Sequence, residues 1–311
     1  ALLRRLGYSP RILMARTITD PLVNHPLPLG GIYTHGVLEV PLKSGRGSIW
    51  MDPSARYHPF DRLFDFVSGM RALDLSAAPE GPVWAELPTS VGPKGSKHID
   101  MQLQLETDGT IHGRGSEKLS SYQAVHYRQI LNGMSPTLQR QVLEAGLGQT
   151  FSGARLEEFK IQGLEQADSP LLISYAFRAP AYARHNAQGL LLRGGFFAYQ
   201  LSSNLISKAR RSSPLVVGDA TRTHTRVLIE LPPLAKLVGP KRLKHTAPLS
   251  DFTYRLDQRA GVLELDKHLE VKAGRISTKD YEAFKEFCRQ VDAQDSEAIQ
   301  ILLTDKMPTE P

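Results

Sequence analysis

The chain has 311 residues, 41% hydrophobic and 23% charged, which is the make-up of a globular protein and excludes wholesale disorder. Its net charge of +6, from 38 basic and 32 acidic residues, is small and scattered, so nucleic-acid binding is not indicated. No run approaches the eighteen or so apolar residues of a membrane span, and a single cysteine, Cys288, leaves no intrachain disulfide and no cysteine-based zinc site.

Leu2, Leu3 and Leu6 are spaced as one helix stripe, with Gly7 as its left-handed stop. So short a helix is marginal alone, so it reads as the last turns of a longer one, and the chain as a fragment or processed piece. Residues 11–19 follow as a strand and 20–29, with three prolines, as a loop. Residues 32–41 and 48–52 form two further strands around the turn Lys43-Ser44-Gly45-Arg46-Gly47. Residues 60–74 connect onward, and the Pro- and Gly-rich stretch 77–95 reads as linker or irregular edge.

Residues 99–106 alternate strictly, and Asp108-Gly109 turns the chain into a partner strand over 110–119. Helical periodicity over 122–147 breaks at Gly133 and Ser135-Pro136, giving two helices, the second capped by Ser135. Strand patterns recur at 154–164, 171–179, 189–201, 223–231, 251–257 and 261–272. Ser277 to Asp280 is a capping box before a helix carrying Tyr281, Phe284 and Cys288 on one stripe. Ile299, Leu302 and Leu303 belong to a further strand or helix, and the polar end 305–311 reads as a frayed tail.

The fold class expected is α+β, mostly an antiparallel β-sandwich-like or curved sheet with one helical excursion. Three parts are expected: 1–74, a β-rich part over 75–276 with helices near 121–147, and a C-terminal helix and tail over 277–311.

The chemistry-bearing pair is His35 and Asp52. A hairpin centred on Ser44-Gly45 pairs residues whose numbers sum to about 89. Val37 then faces Asp52, and His35 becomes its diagonal neighbour on the same face. A carboxylate there fixes the imidazole tautomer and leaves the other ring nitrogen for a nucleophile. The plainer reading makes His35 a half-buried strand residue and Asp52 a turn former. Trp50 is either a wall of the site or part of the hairpin core, and Tyr33 shares the His35 face and packs beside it.

The order LLRRLG, RILMART, a Pro-rich loop, a His-bearing strand and a strand ending Trp50-Met51-Asp52-Pro53 resembles the second half of the bacterial transglutaminase-like fold. That fold is a papain-like cysteine catalyst. Residues 1–74 carry the likeness, including the segment FDRLFDFVSGMRAL after the Asp. It implies that His35 and Asp52 take the family's His and Asp positions, with the Cys upstream of Ala1. The implied activity is acyl transfer on a protein or peptide amide: proteolysis, deamidation or crosslinking. The rest resembles the β-rich domains of unknown function that flank this core in exported bacterial proteins, on Gly113 and Gly115 after the Asp108-Gly109 turn, Leu231-Pro232, and Arg275 to Ser277 before Tyr281 and Phe284. Periplasmic or extracellular placement follows from the resemblance, as does a missing N-terminal half as partner.

The rival reading is a non-catalytic β-rich binding or spacing module of an exported protein. A third, an anion- or polysaccharide-binding domain, uses the basic clusters Lys208 to Arg211 and Lys241 to His245, which otherwise read as solvated loops. Cys288, mid-helix and apolar-sided, reads as structural. No cofactor is expected. No metal is expected either, because His25, His35 and His58 near Asp52 form no tight HxH or HxxxH pair. Gly30-Gly31 and Gly194-Gly195 read as turns or bulges, and Phe196, Phe197 and Tyr199 as sheet core.

Overall fold

The computed structural model describes residues 2–20, 31, 33–54, 56–76, 81–89 and 95–303. His25, most of the Pro-rich loop and the tail 305–311 lie outside the described residues.

After the single turn α1 (Leu2–Arg5), closed by Gly7 at φ 77°, come β1 (Arg11–Ala15), β2 (His35–Pro41), β3 (Ser48–Met51), β4 (Arg71–Asp74) and β5 (Val83–Glu86). They form one antiparallel sheet in the order β3-β2-β1-β4-β5. Its buried face carries Leu13, Ala15, Val37 and Ala72, packed under Val67, Phe64 and Phe66 from the segment that follows β3. The first strand is shorter than its sequence pattern, because the chain turns at Thr17, whose amide donates to the Asp20 carboxylate. The stretch expected as linker or irregular edge contributes β5, the edge strand of this sheet.

The larger part continues through β6 (Ser96–Leu105), β7 (Ile111–Ser120), α2 (Tyr122–Leu131), α3 (Pro136–Thr150), β8 (Arg155–Gln162), β9 (Leu171–Ala179), β10 (Arg184–Asn186), β11 (Gly189–Arg193) and α4 (Leu201–Leu205). It is completed by β12 (Leu215–Val217), β13 (Thr221–Glu230), β14 (Lys236–Leu237), β15 (Lys241–Ala247), β16 (Ser250–Arg259), β17 (Val262–Val271), β18 (Gly274–Ile276), α5 (Tyr281–Ser296) and β19 (Ala298–Leu302). Eight strands make one sheet, β15-β16-β17-β13-β6-β7-β9-β8, antiparallel except where β13 runs parallel to β6. Four more make a second sheet, β10-β11-β19-β14. The protein is thus a β-rich α+β fold of mostly antiparallel sheets with few helices.

Alternation explains the large sheet. Ile99, Met101, Leu103 and Leu105 bury one face of β6, while His98 and Asp100 face solvent. Gly113 is required on β7, because a Cβ there would lie 2.4 Å from the Phe177 ring. Helix α5 buries Tyr281, Phe284, Phe287, Cys288 and Val291 against this core. The expected capping box forms instead a turn ahead of the helix: the Asp280 amide donates to Ser277 Oγ at 3.1 Å, and the helix starts at Tyr281 with Asp280 at its N-cap. Ser135 caps α3 by accepting from the Leu138 amide, with Pro136 first in the helix.

Three expectations need correction. The strand expected over 189–201 ends at Arg193, because the chain there presses against the end of α5. A Cβ on Gly195 would lie 1.9 Å from the Asp295 carbonyl oxygen. Phe196 is buried, but from this loop, against Phe151 and Tyr182. The cluster Lys241 to His245 is not a loop but part of β15, an edge strand paired along its length with β16. The parallel β6–β13 pairing joins residues far apart in sequence, which local periodicity does not report.

Candidate functional site

The hairpin register is the one that centring on Ser44-Gly45 requires: Leu38 pairs with Met51, Glu39 with Trp50 and Val40 with Ile49. The opening residue of β2, His35, pairs with Ala15 on its other side. Asp52 follows the last residue of β3. Their side chains meet, with His35 Nε2 2.6 Å from Asp52 Oδ2. The other carboxylate oxygen accepts from the Ser54 amide at 3.0 Å and from Ser54 Oγ at 2.5 Å.

The Asp52 side chain is fully buried and that of His35 is 15% exposed. Burial opposes ionisation of Asp52, but the hydrogen bonds from His35 and Ser54 outweigh it and hold the carboxyl below its ordinary value. An ionised Asp52 can only accept, so His35 carries its proton on Nε2. In the neutral ring Nδ1 is then the lone-pair nitrogen, and it has no hydrogen-bond partner among the described residues.

Aromatic rings fix the imidazole. Phe66 meets it edge-on with centroids 5.0 Å apart, and Phe64 at 6.5 Å. These two phenyl rings stack on each other at 5.1 Å, and His58 lies over Phe64 at 4.0 Å. His58 Nε2 bonds the Arg62 carbonyl, and its buried Nδ1 has no partner among the described residues. Burial above all holds the His58 pKa below its ordinary value, against the pull of Asp52. Phe64 and Phe66 also line a cleft of about 360 Å³, whose other walls include Gln123, His126, Tyr127 and Asp219. Burial, and then the Asp65 charge, hold the Asp219 carboxyl above its ordinary value.

Contacts with the larger part brace this wall. The Phe60 amide donates to Asp168 at 2.7 Å, and Asn132 bonds the Tyr57 hydroxyl. The loop holding Asp168 is itself held by the buried Arg128, which donates to the carbonyls of Gly163, Gln166, Ala167 and Ser169.

Of the expected site residues, His35 and Asp52 come together and the other two do not join them. Trp50 packs into the small core with Val37 and Leu13, so its indole is hairpin core. Tyr33 pairs with Trp84 at 5.2 Å rather than with His35. The strand begins at His35, so alternation does not carry back to Tyr33. Trp84 pairs with Leu73, on the face opposite Ala72 and His35. The sequence reading does not single out Phe64 and Phe66 as neighbours of His35. Their signal was the aromatic spacing after Asp52, which gives no fold-back by itself.

Cys288 lies in α5 within the larger core, apart from the small core under His35. Burial pushes its thiol up to about 12. It is the wrong thiol for nucleophilic work. Among the described residues, no group of three or more His, Cys, Asp or Glu side chains converges on a metal position, and no helix is long and apolar enough to cross a membrane.

Residues 189–301 match the model of a domain of unknown function with a solved structure, DUF3858. That span runs from β11 to β19. Among solved structures, one of a "putative protease" from Parabacteroides distasonis is similar, with a TM-score of 0.49 and 10% identity. The likeness covers 97% of this chain and 42% of that one, so this chain spans about two-fifths of that protein's length. No curated protein matches.

Proposed function

We propose that this chain supplies the His–Asp half of a transglutaminase-like cysteine acyl-transfer site, with the thiol contributed by a segment preceding Ala1. The observation that carries the reading is the 2.6 Å contact between His35 Nε2 and a fully buried Asp52. In that reading His35 Nδ1 takes the proton of the thiol, and the resulting thiolate attacks the carbonyl carbon of a peptide or glutamine amide. As the tetrahedral intermediate collapses, His35 returns the proton to the leaving nitrogen and the C–N bond breaks. A thioester remains. Water or an amine, deprotonated by His35, then attacks it and releases the thiol. Asp52 holds the ring and stabilises its cationic form throughout.

The substrate is a protein or peptide, and the Phe64–Phe66 wall is an apolar surface against which its side chains would lie. The β-rich part braces that wall through Arg128 and Asp168. The alternative, a non-catalytic binding or spacing module, is favoured by one fact: the only thiol in this chain is the inert Cys288.

The test uses protein that includes the residues encoded before Ala1. Release of ammonia from glutamine peptides, peptide cleavage and amine incorporation are measured for the parent, His35→Gln and Asp52→Asn. Turnover that falls by orders of magnitude in both variants supports the catalytic reading. Turnover indifferent to both, or a Ser or Ala where the upstream thiol is required, overturns it and leaves the binding module.

A further inference from the structure

The outer face of the large sheet carries three histidines in one row. In register, His98 of β6 lies beside His224 of β13, and His224 beside His268 of β17. All three alternate with buried residues and so point to the solvent side. Their rings are close: centroids are 5.8 Å apart for His98 and His224, and 6.3 Å for His224 and His268. Two imidazoles sharing a metal ion, each bound at about 2.0–2.1 Å, have ring centroids about 5–6 Å apart. The row therefore offers two neighbouring pairs near chelating separation.

The middle ring is held by a carboxylate. His224 Nε2 lies 3.0 Å from Asp266 Oδ2. With the carboxylate as acceptor, the proton stays on Nε2 and Nδ1 keeps its lone pair. A carboxylate accepting from the far ring nitrogen fixes the tautomer of metal-binding histidines and raises their basicity. Asp100 adds negative charge to the same face, where Arg226 lies in register between it and Asp266. Lys118, paired with His98, opposes it, and Arg222 is already engaged with Glu270. In the described side-chain conformations no three donors converge on one point, so the third ring joins by rotation about its Cα–Cβ and Cβ–Cγ bonds. A surface-facing imidazole makes that rotation at little cost.

We propose that His98, His224 and His268 form a docking site for a divalent transition-metal ion that favours imidazole nitrogen, Zn²⁺ or Cu²⁺, on the solvent face of the eight-stranded sheet. A fourth position is left to water or a partner's ligand. The site shares no residue with the His35–Asp52 pair and stands independently of the function proposed above.

The test is calorimetric titration of this chain with Zn²⁺ alone, and electron paramagnetic resonance with Cu²⁺. The parent is expected to bind one ion saturably, with nitrogen hyperfine structure on Cu²⁺. His98→Gln, at an exposed position, is expected to weaken Zn²⁺ at least about tenfold, and Asp266→Asn about 10- to 100-fold. The triple variant H98Q/H224Q/H268Q, with its circular dichroism unchanged, is expected to lose the site. Absence of saturable binding in the parent, or affinity unchanged in His98→Gln, overturns the proposal. So does a folded triple variant that still binds as the parent does, since the ion is then held elsewhere.

Discussion

Replacing Asp52 by Asn is the most informative small change near His35, because Ser54 dictates how the new amide lies. The Ser54 amide donates to Oδ1 at 3.0 Å and its hydroxyl bonds the same atom. An NH2 group cannot accept that amide proton, so the Asn oxygen stays toward Ser54 and its NH2 turns to His35. The ring must then accept at Nε2, and its proton moves to Nδ1. At the His35 contact a charge-assisted hydrogen bond, worth about 1.5–3 kcal/mol, becomes a neutral one worth about 0.5–1.5, so the exchange costs roughly 1–1.5 kcal/mol at a fully buried position. A base whose proton has moved to the wrong nitrogen loses on the order of 10⁴ in turnover. The tautomer is read directly from long-range ¹H–¹⁵N correlation of the imidazole. Stability is read from urea unfolding followed by tryptophan fluorescence, since both tryptophans, Trp50 and Trp84, belong to the first sheet. The parent should show Nε2–H and the variant Nδ1–H, with a lower urea midpoint. Nε2–H in both, with the same midpoint, would refute the reasoning.

The pH dependence follows from the same carboxylate. Its folded pKa lies below the ordinary 3.8, so its stabilising contribution is complete above that value and disappears as pH falls through the folded one. The acid-side fall in the urea midpoint below about pH 4 should therefore shrink in Asp52→Asn. Cys288, fully buried and pushed up to about 12, should resist thiol reagents in native protein at pH 8 and react fully in urea; fast native reaction would contradict its placement. Lys267→Met should leave Asp295 buried without its 2.6 Å partner and cost roughly 3–5 kcal/mol in the larger part, measured by urea unfolding followed by circular dichroism. Gly195→Ala should cost about 1–3 kcal/mol or more by the same measurement, since the added methyl meets the Asp295 carbonyl.

Where local chemistry sets the backbone, the sequence was legible. A Gly-containing turn between two alternating strands specifies a register, and the register alone places His35 diagonal to Asp52. Ser135-Pro136 and Ser277 to Asp280 announce helix starts because their side chains satisfy amides within the same turn. Elsewhere the decisive contacts are distant. Strand β15 alternates half-buried and exposed along Lys241–Ala247, and its charges masked that period. Residues 194–200 hold buried aromatics without a strand because two glycines let the backbone meet the end of α5. Strands β10, β12, β14 and β18 have two or three residues, too few to show a period. The Phe64–Phe66 wall depends on a fold-back over the sheet that no local pattern encodes.

The most direct measurement takes protein extended upstream of Ala1 and follows alkylation of its thiols by iodoacetamide across pH 4 to 9, with mass spectrometry to assign each site. A thiol paired with His35 should react as thiolate well below the ordinary cysteine pKa of about 8.5, and lose that low-pH reactivity in His35→Gln while Cys288 stays unmodified in both. No acid-side reactivity beyond the ordinary cysteine range, or reactivity indifferent to His35, would contradict a thiol served by the His35–Asp52 pair.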